Sequence, residues 1–175
     1  MAILDWIKEC TRIIVKPSDH YPRGRTLRFT SPSGLPVRQP YHNEASVKVW
    51  IDGHSYSLAR SDETMPVNVT RQVNGSSPNI VHSWDAAHAA DVAVRCRAMG
   101  VEVPTIFDCF GSHAGNVATT RRVFMESFVD LHERNLLADL HRQWEALYPD
   151  VDIPAPPPQG KFDLRHVLNS TYALS

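Results

Sequence analysis

The sequence predicts an α+β fold, and three observations carry that expectation. Asp52-Gly53 separates an alternating run (Val47, Val49 and Ile51 against Ser46, Lys48 and Trp50) from Ser55 to Leu58, a strong short-range hairpin signal. Thr105 to His113, TIFDCFGSH, sets one acid, Asp108, between two apolar, β-prone runs and reads as a tighter strand-turn-strand unit. Elsewhere, apolar residues recur at spacings of three and four, the signature of amphipathic helices. The expected arrangement is an antiparallel unit bearing Asp108, packed against helices over 83–99 and 116–132, with a hairpin at 45–60 projecting from the body.

The elements follow in order. Over residues 2–15, Ile3, Trp6, Ile7, Cys10 and Ile14 share one helical face. That helix begins at once, with no capping residue, which suggests that Met1 sits inside a larger architecture and that the exposed face of the helix meets a partner. Pro17, Pro22 and Gly24 mark a loop, and Leu27 to Thr30 a short strand. SPSGLPVRQPY (31–41) reads as ordered turn. Ser61 to Ser77 is polar and turn-rich. A helix is expected from Ser83, as N-cap, to Met99, filled with alanines and closed by Gly100. Glu102 to Phe107 and Cys109 to Ser112 are the strands flanking Asp108. Residues 116–132 form a helix with Val117, Val123, Phe124, Phe128 and Leu131 as its stripe. Residues 136–148 form another, with Leu137, Leu140, Trp144 and Leu147 inward and Pro149 as its stop. Pro154 to Pro158 is extended, and Asp163 caps a last short helix ending near Leu168.

Composition narrows the function classes. A net charge of −1 excludes a polycation, but residues 1–81 hold ten Lys/Arg against seven Asp/Glu, and residues 82–175 hold eight against twelve. The excess positive charge gathers at Lys16, Arg23, Arg25, Arg28 and Arg38, a cluster suited to phosphate contact or to a solvated loop. Cys10, Cys96 and Cys109 show no CxxC spacing, which argues against a zinc ribbon or a disulfide framework and fits a reducing compartment. No apolar run is long enough to cross a bilayer and no signal peptide is visible, so no membrane partner is expected and the cytoplasm is the default location.

The chemistry-bearing residues are His82, Asp85, His88 and Asp108. A lone carboxylate is costly to bury unless it is paired or holds a metal, so Asp108 is either a metal ligand at a turn or a solvated turn residue. Asp85 and His88 stand at i, i+3 and share a helix face, as a hydrogen-bonded pair or as ligands of a metal hydrolase built on all four residues. A two-metal phosphoryl-transfer site needs a second acid near Asp108, and the chain shows no obvious one.

PNIVHSWDAAH at 78–88 and IFDCFGSHA at 106–114 resemble the C-terminal part of the single-subunit DNA-directed RNA polymerases of bacteriophages and mitochondria. In that family an HSxDxxH segment opens a palm helix, and a hydrophobic-His-Asp-Ser/Cys-Phe segment is the last catalytic motif. SPSGLPVRQPY is similar to the family's TPxGLPVxQPY, the opening helix to the one after its nucleotide-selecting finger helix, and the 45–60 hairpin falls where the family carries its promoter specificity loop. GKFDLRHVLNSTYALS resembles the family's C-terminal end.

The resemblance implies three regions: the end of the fingers with the hairpin (1–81), a palm segment with the catalytic-Asp hairpin (82–148) and a C-terminal foot (149–175). It implies that Asp108 is catalytic and binds Mg²⁺, one of the carboxylates that bridge two ions roughly 3.5–4 Å apart. His82 then touches the minor groove of the RNA:DNA hybrid, where a single hydrogen bond checks helix shape rather than sequence. Asp85 and His88 organise the palm, and Ala173, Leu174 and Ser175 form the foot. Ser46, Lys48, His54 and Arg60 are candidates for promoter contact. Two departures stand out: Phe107 replaces the usual His before the catalytic Asp, and Leu174 replaces an aromatic residue.

The family's first catalytic aspartate and its finger helix match nothing here. The expected function is therefore a C-terminal subunit or fragment of such a polymerase, inactive alone. Its expected partners are a larger N-terminal polymerase chain, DNA template and promoter, nascent RNA and NTPs, in a bacterial host's cytoplasm if phage-encoded. The alternatives are a degenerate, non-enzymatic nucleic-acid-binding remnant, suggested by Phe107, and the metal hydrolase.

Overall fold

A computed structural model describes residues 3–106 and 109–171, with the side chains of Arg60 and Ser61 outside the description. It is α+β. Helices α1 (Ile3–Val15), α2 (Val69–Ala98), α3 (Val117–Glu133) and α4 (Leu136–Leu147) alternate with three separate two-stranded antiparallel ladders. The ladders are β1 (Arg28–Thr30) with β2 (Pro36–Arg38), β3 (Glu44–Ile51) with β4 (His54–Ser61), and β5 (Thr105–Ile106) with β6 (Cys109–Phe110).

Two apolar cores are strung along α2, whose thirty residues span about 45 Å at 1.5 Å per residue. The larger core gathers Trp6, Ile7, Cys10 and Ile14 of α1, Leu27 and Phe29 beside β1, Ile80 of α2, and Leu140 and Trp144 of α4. Trp6 and Trp144 meet with ring centroids 5.8 Å apart, and Trp6 Nε1 donates to the Pro154 carbonyl at 2.9 Å, which ties the extended proline segment to α1. Truncating either indole to alanine costs roughly 3–5 kcal/mol. The smaller core sets Val92 and Cys96 of α2 against Val101 and Val123, with Val103, Phe110 and Phe124 packed around them.

Helix α4 also completes β1. Gln143 Oε1 accepts from Thr30 N and its Nε2 donates to Thr30 O. Tyr148 Oη accepts from Arg28 N, and Trp144 Nε1 donates to Arg28 O. Four backbone groups on an otherwise open strand edge are thereby satisfied.

The structure corrects several expectations. The helix expected from Ser83 begins fourteen residues earlier, at Val69, where the Asn68 side chain caps Arg71 N at 2.9 Å. Ser83 is an interior residue that donates to the Ile80 carbonyl at 2.7 Å, so HSWDAAH lies mid-helix rather than opening one. Residue 82, where the resemblance divides fingers from palm, falls inside this continuous helix. The stretch from Gly75 to Pro78 reads as a breaker, but tertiary contacts hold it helical. Gln72 Nε2 donates to Gln39 O at 2.8 Å, Gln72 Oε1 accepts from Leu27 N, and Asn79 Nδ2 donates to Tyr41 Oη at 3.2 Å. The segment 31–41 supplies strand β2 as well as turns. Before Asp108 only Thr105 and Ile106 are strand. Val117 and Leu147, expected inside, are half exposed.

Other expectations hold. Gly100, with φ +74°, closes α2: its N–H bonds Arg97 O, and Val101 N bonds Cys96 O, the paired bonds of a Schellman turn. Asp52 and Gly53 take φ +49° and +79° in a two-residue β3–β4 turn that pairs Ile51 with His54. Asp163 caps the 3-10 helix Leu164–Asn169.

Candidate functional site

Residues at i, i+3, i+4 and i+7 share one face of a helix, and in α2 that face carries His82, Asp85, Ala86 and Ala89. It lines a cavity of about 670 Å³ whose far wall is Phe110 of β6 with Phe124 and Phe128 of α3. The small alanines leave the space, and the aromatic rings bound it. His82 and Asp85 are exposed and make no hydrogen bond or ion pair among the described residues.

His88 sits deeper. Its Nε2–H donates to the Phe124 carbonyl at 3.0 Å, and its ring meets Phe124 edge-on, centroids 4.5 Å apart. Burial pushes its pKa down, outweighing the Phe124 carbonyl, which favours the protonated ring. His88 is therefore a neutral strut between α2 and α3, in keeping with the supporting place expected of it. Across the same helix pair, Arg95 bonds Asp91 and Asp130 at 2.7 and 2.6 Å, and Ser127 Oγ donates to Asp91 at 2.6 Å.

Phe107 and Asp108 lie outside the described residues, as do Ala173, Leu174 and Ser175. The cavity abuts β6, whose Phe110 stands two positions after Asp108. Among the described residues no three His, Cys, Asp or Glu side chains come together as a metal-binding group. Magnesium takes oxygen ligands in a near-octahedral set. One carboxylate and two imidazoles, one of them committed to a carbonyl, do not fit that ion by themselves.

The β3–β4 hairpin stands away from the helices with both faces largely exposed. Its register divides the expected contact residues. Ser46 and Lys48 share a face with Ser55 and Ser57, and Ser46 Oγ lies 2.6 Å from Ser57 Oγ. His54 pairs with Ile51 on the opposite face, with Val47, Tyr56 and Leu58. Arg60 pairs with Ala45 in the ladder, and its side chain lies outside the description. The Arg71–Glu44 ion pair fastens the hairpin's base to α2.

Residues 1–151 match the sequence model of a family described as DNA-dependent RNA polymerase. The chain belongs to this polymerase family, of the single-subunit phage and mitochondrial type. DNA-directed RNA polymerase 2, chloroplastic/mitochondrial, of Arabidopsis thaliana is 36% identical over 171 residues, 98% of this chain. DNA-directed RNA polymerase 1, mitochondrial, of the same plant is 34% identical over the same length. The chain spans 16% and 17% of those two proteins, and 49% of DNA-directed RNA polymerase 2A of Nicotiana tabacum, to which it is 36% identical.

In this polymerase segment, the aromatic wall is what sequence reasoning missed. Phe124 and Phe128 read only as an apolar stripe; their i, i+4 spacing opposite an alanine-faced helix was the available signal. No described helix is long and apolar enough to cross a membrane.

Proposed function

We propose that this chain acts as the C-terminal part of a DNA-directed RNA polymerase, working with the larger region that carries the first catalytic aspartate and the finger helix. The observation that carries the reading is the shared cavity. His82 of the HSWDAAH motif and Phe110 of the IFDCFG motif line the same space, so the two stretches on which the resemblance rests meet at one site. In this reading His82, exposed at the rim, donates to the minor-groove edge of the hybrid, while the phenylalanines exclude water behind it. His88 fixes the spacing of α2 and α3 without touching substrate. Asp108 supplies one carboxylate for Mg²⁺, and a second must come from the larger region. DNA, nascent RNA and NTPs are the proposed substrates, with the Ser46–Lys48 face of the hairpin toward promoter DNA. The palm, finger and foot divisions and the supporting role of Leu174 and Ser175 belong to the same proposal. A DNA-containing soluble compartment follows; the relatives' names place them in chloroplasts and mitochondria.

The test is complementation. The chain mixed with a separately produced N-terminal polymerase region is expected to give Mg²⁺-dependent RNA synthesis, and Asp108→Ala to abolish it. Synthesis that survives Asp108→Ala overturns the assignment. Phe107, where the family has His, favours a second reading as a non-enzymatic nucleic-acid-binding remnant. Assemblies that bind DNA but stay inactive with either Phe107 or Phe107→His support that reading.

A further inference from the structure

The β1–β2 ladder places Arg28 directly opposite Arg38. Like charges facing each other across a ladder weaken it, and both residues are exposed. Arg38 reaches only Glu63, at 3.5 Å, on a side chain that is 67% exposed, a pair of little strength. The Arg28 guanidinium has no ion-pair partner among the described residues. Both arginines line a cavity of about 380 Å³ together with Arg25, His42, Tyr21 and Tyr148, and no carboxylate lines it.

The cavity's back wall is rigid and short of partners. Arg25 lies over the Tyr21 and Tyr148 rings at 4.3 and 5.2 Å and bonds Asp150 at 2.7 Å, yet its buried Nε has no hydrogen-bond partner. His42 is 8% exposed. Its Nδ1–H donates to Met65 O at 2.9 Å, and its buried Nε2 is likewise unpartnered. Three guanidiniums around a carboxylate-free hollow make a focused positive potential, and their planar forks match phosphate oxygens.

From this geometry we infer that the Arg25–Arg28–Arg38 hollow is a binding site for a backbone phosphate of a nucleic-acid strand. A strand suits it better than a free ion because the rim is open: Arg28, Arg38, Tyr21 and Leu147 are all exposed, so neighbouring nucleotides can continue across the surface. The anion between Arg28 and Arg38 converts their repulsion into two attractions. This inference rests on the polymerase reading for its ligand class, but its site is separate from the His82 cavity and needs neither magnesium nor nucleotide.

The experiment is fluorescence anisotropy of a labelled 20-nucleotide DNA with the 175-residue chain, across a KCl series and without Mg²⁺ or NTPs. The double variant Arg28→Ala/Arg38→Ala is expected to weaken binding equally for unrelated sequences. It should also lower the slope of log K against log salt by about 2, roughly 0.9 per lost phosphate contact. Arg12→Ala, on the far α1 surface, should leave the slope unchanged. Thermal melting guards against misfolding: the double variant should melt no lower than the parent, since a like-charge pair is removed, and DNA should raise the parent's melting temperature more than the variant's. An unchanged slope and affinity in a folded double variant overturn the inference. So does inorganic phosphate displacing the DNA at concentrations that leave the double variant's residual binding untouched, which would make the hollow a free-phosphate site. Neither result bears on the Asp108 complementation assay, so the two readings fail separately.

Discussion

Gly75 lies so close beneath the Tyr41 ring that a methyl group on it would stand 2.8 Å from Tyr41 Cε2. The glycine lets the Gln39–Tyr41 segment settle onto α2, where the Gln39–Gln72 and Tyr41–Asn79 hydrogen bonds hold it. Gly75→Ala should therefore destabilise the chain by roughly 1–3 kcal/mol through overpacking, although alanine is the better helix former by about 1 kcal/mol. In a Tyr41→Ala background the clash disappears, and the same substitution should stabilise. Urea denaturation of the four chains in this cycle decides it; a destabilising effect of equal size in both backgrounds would refute the contact.

His88 gives stability a pH dependence. Its folded-state pKa is held below the ordinary 6.5, mainly by burial, so the native state favours the neutral ring. The stabilisation is complete above about pH 6.5 and is lost as pH falls below it, because the unfolded chain then binds a proton that the folded chain resists. His88→Gln retains an amide donor for the Phe124 carbonyl and does not titrate. Between pH 7.5 and 5.5 its unfolding midpoint should fall less steeply than the parent's, as measured by urea titration at each pH.

Arg121 of α3 fastens the C-terminal segment. Its Nη2 donates to the carbonyls of Ser170 and Thr171 at 2.6 and 2.8 Å. Charge-assisted bonds of this kind contribute roughly 1.5–3 kcal/mol each. Arg121→Ala should raise hydrogen exchange at the Ser170 amide by at least about tenfold on that scale, while leaving amides in the α1–α4 core protected.

The hairpin register makes a further distinction. Lys48 and His54 project from opposite faces of β3–β4. If the Ser46–Lys48 face meets DNA, Lys48→Ala should lower the salt slope of DNA binding by about 1, and His54→Ala should leave it unchanged. The reverse result assigns the apolar face to DNA instead.

Where the signal was local, the sequence was sufficient. Asp52-Gly53 demands a turn with positive φ at both positions, and alternation on either side sets the register, so the β3–β4 hairpin was legible from its own residues. So were α1, α3 and α4, whose apolar stripes have the helical period, and the Gly100 and Asp163 caps. The family itself was readable from HSWDAAH and IFDCFGSH, because motif identity needs no coordinates. The start of α2 was not legible. Gly-Ser-Ser-Pro is a breaker by intrinsic propensity, and only contacts with residues more than thirty positions away in sequence reverse that preference. The same limit hid the aromatic wall and the arginine hollow. Residue type announces an apolar side chain or a cation, but whether three cations face one space is decided by how β1, β2 and the end of α4 come together. Local backbone preferences belong to the chain; the sharing of one cavity by distant side chains belongs to packing, since it depends on which surfaces exclude water together.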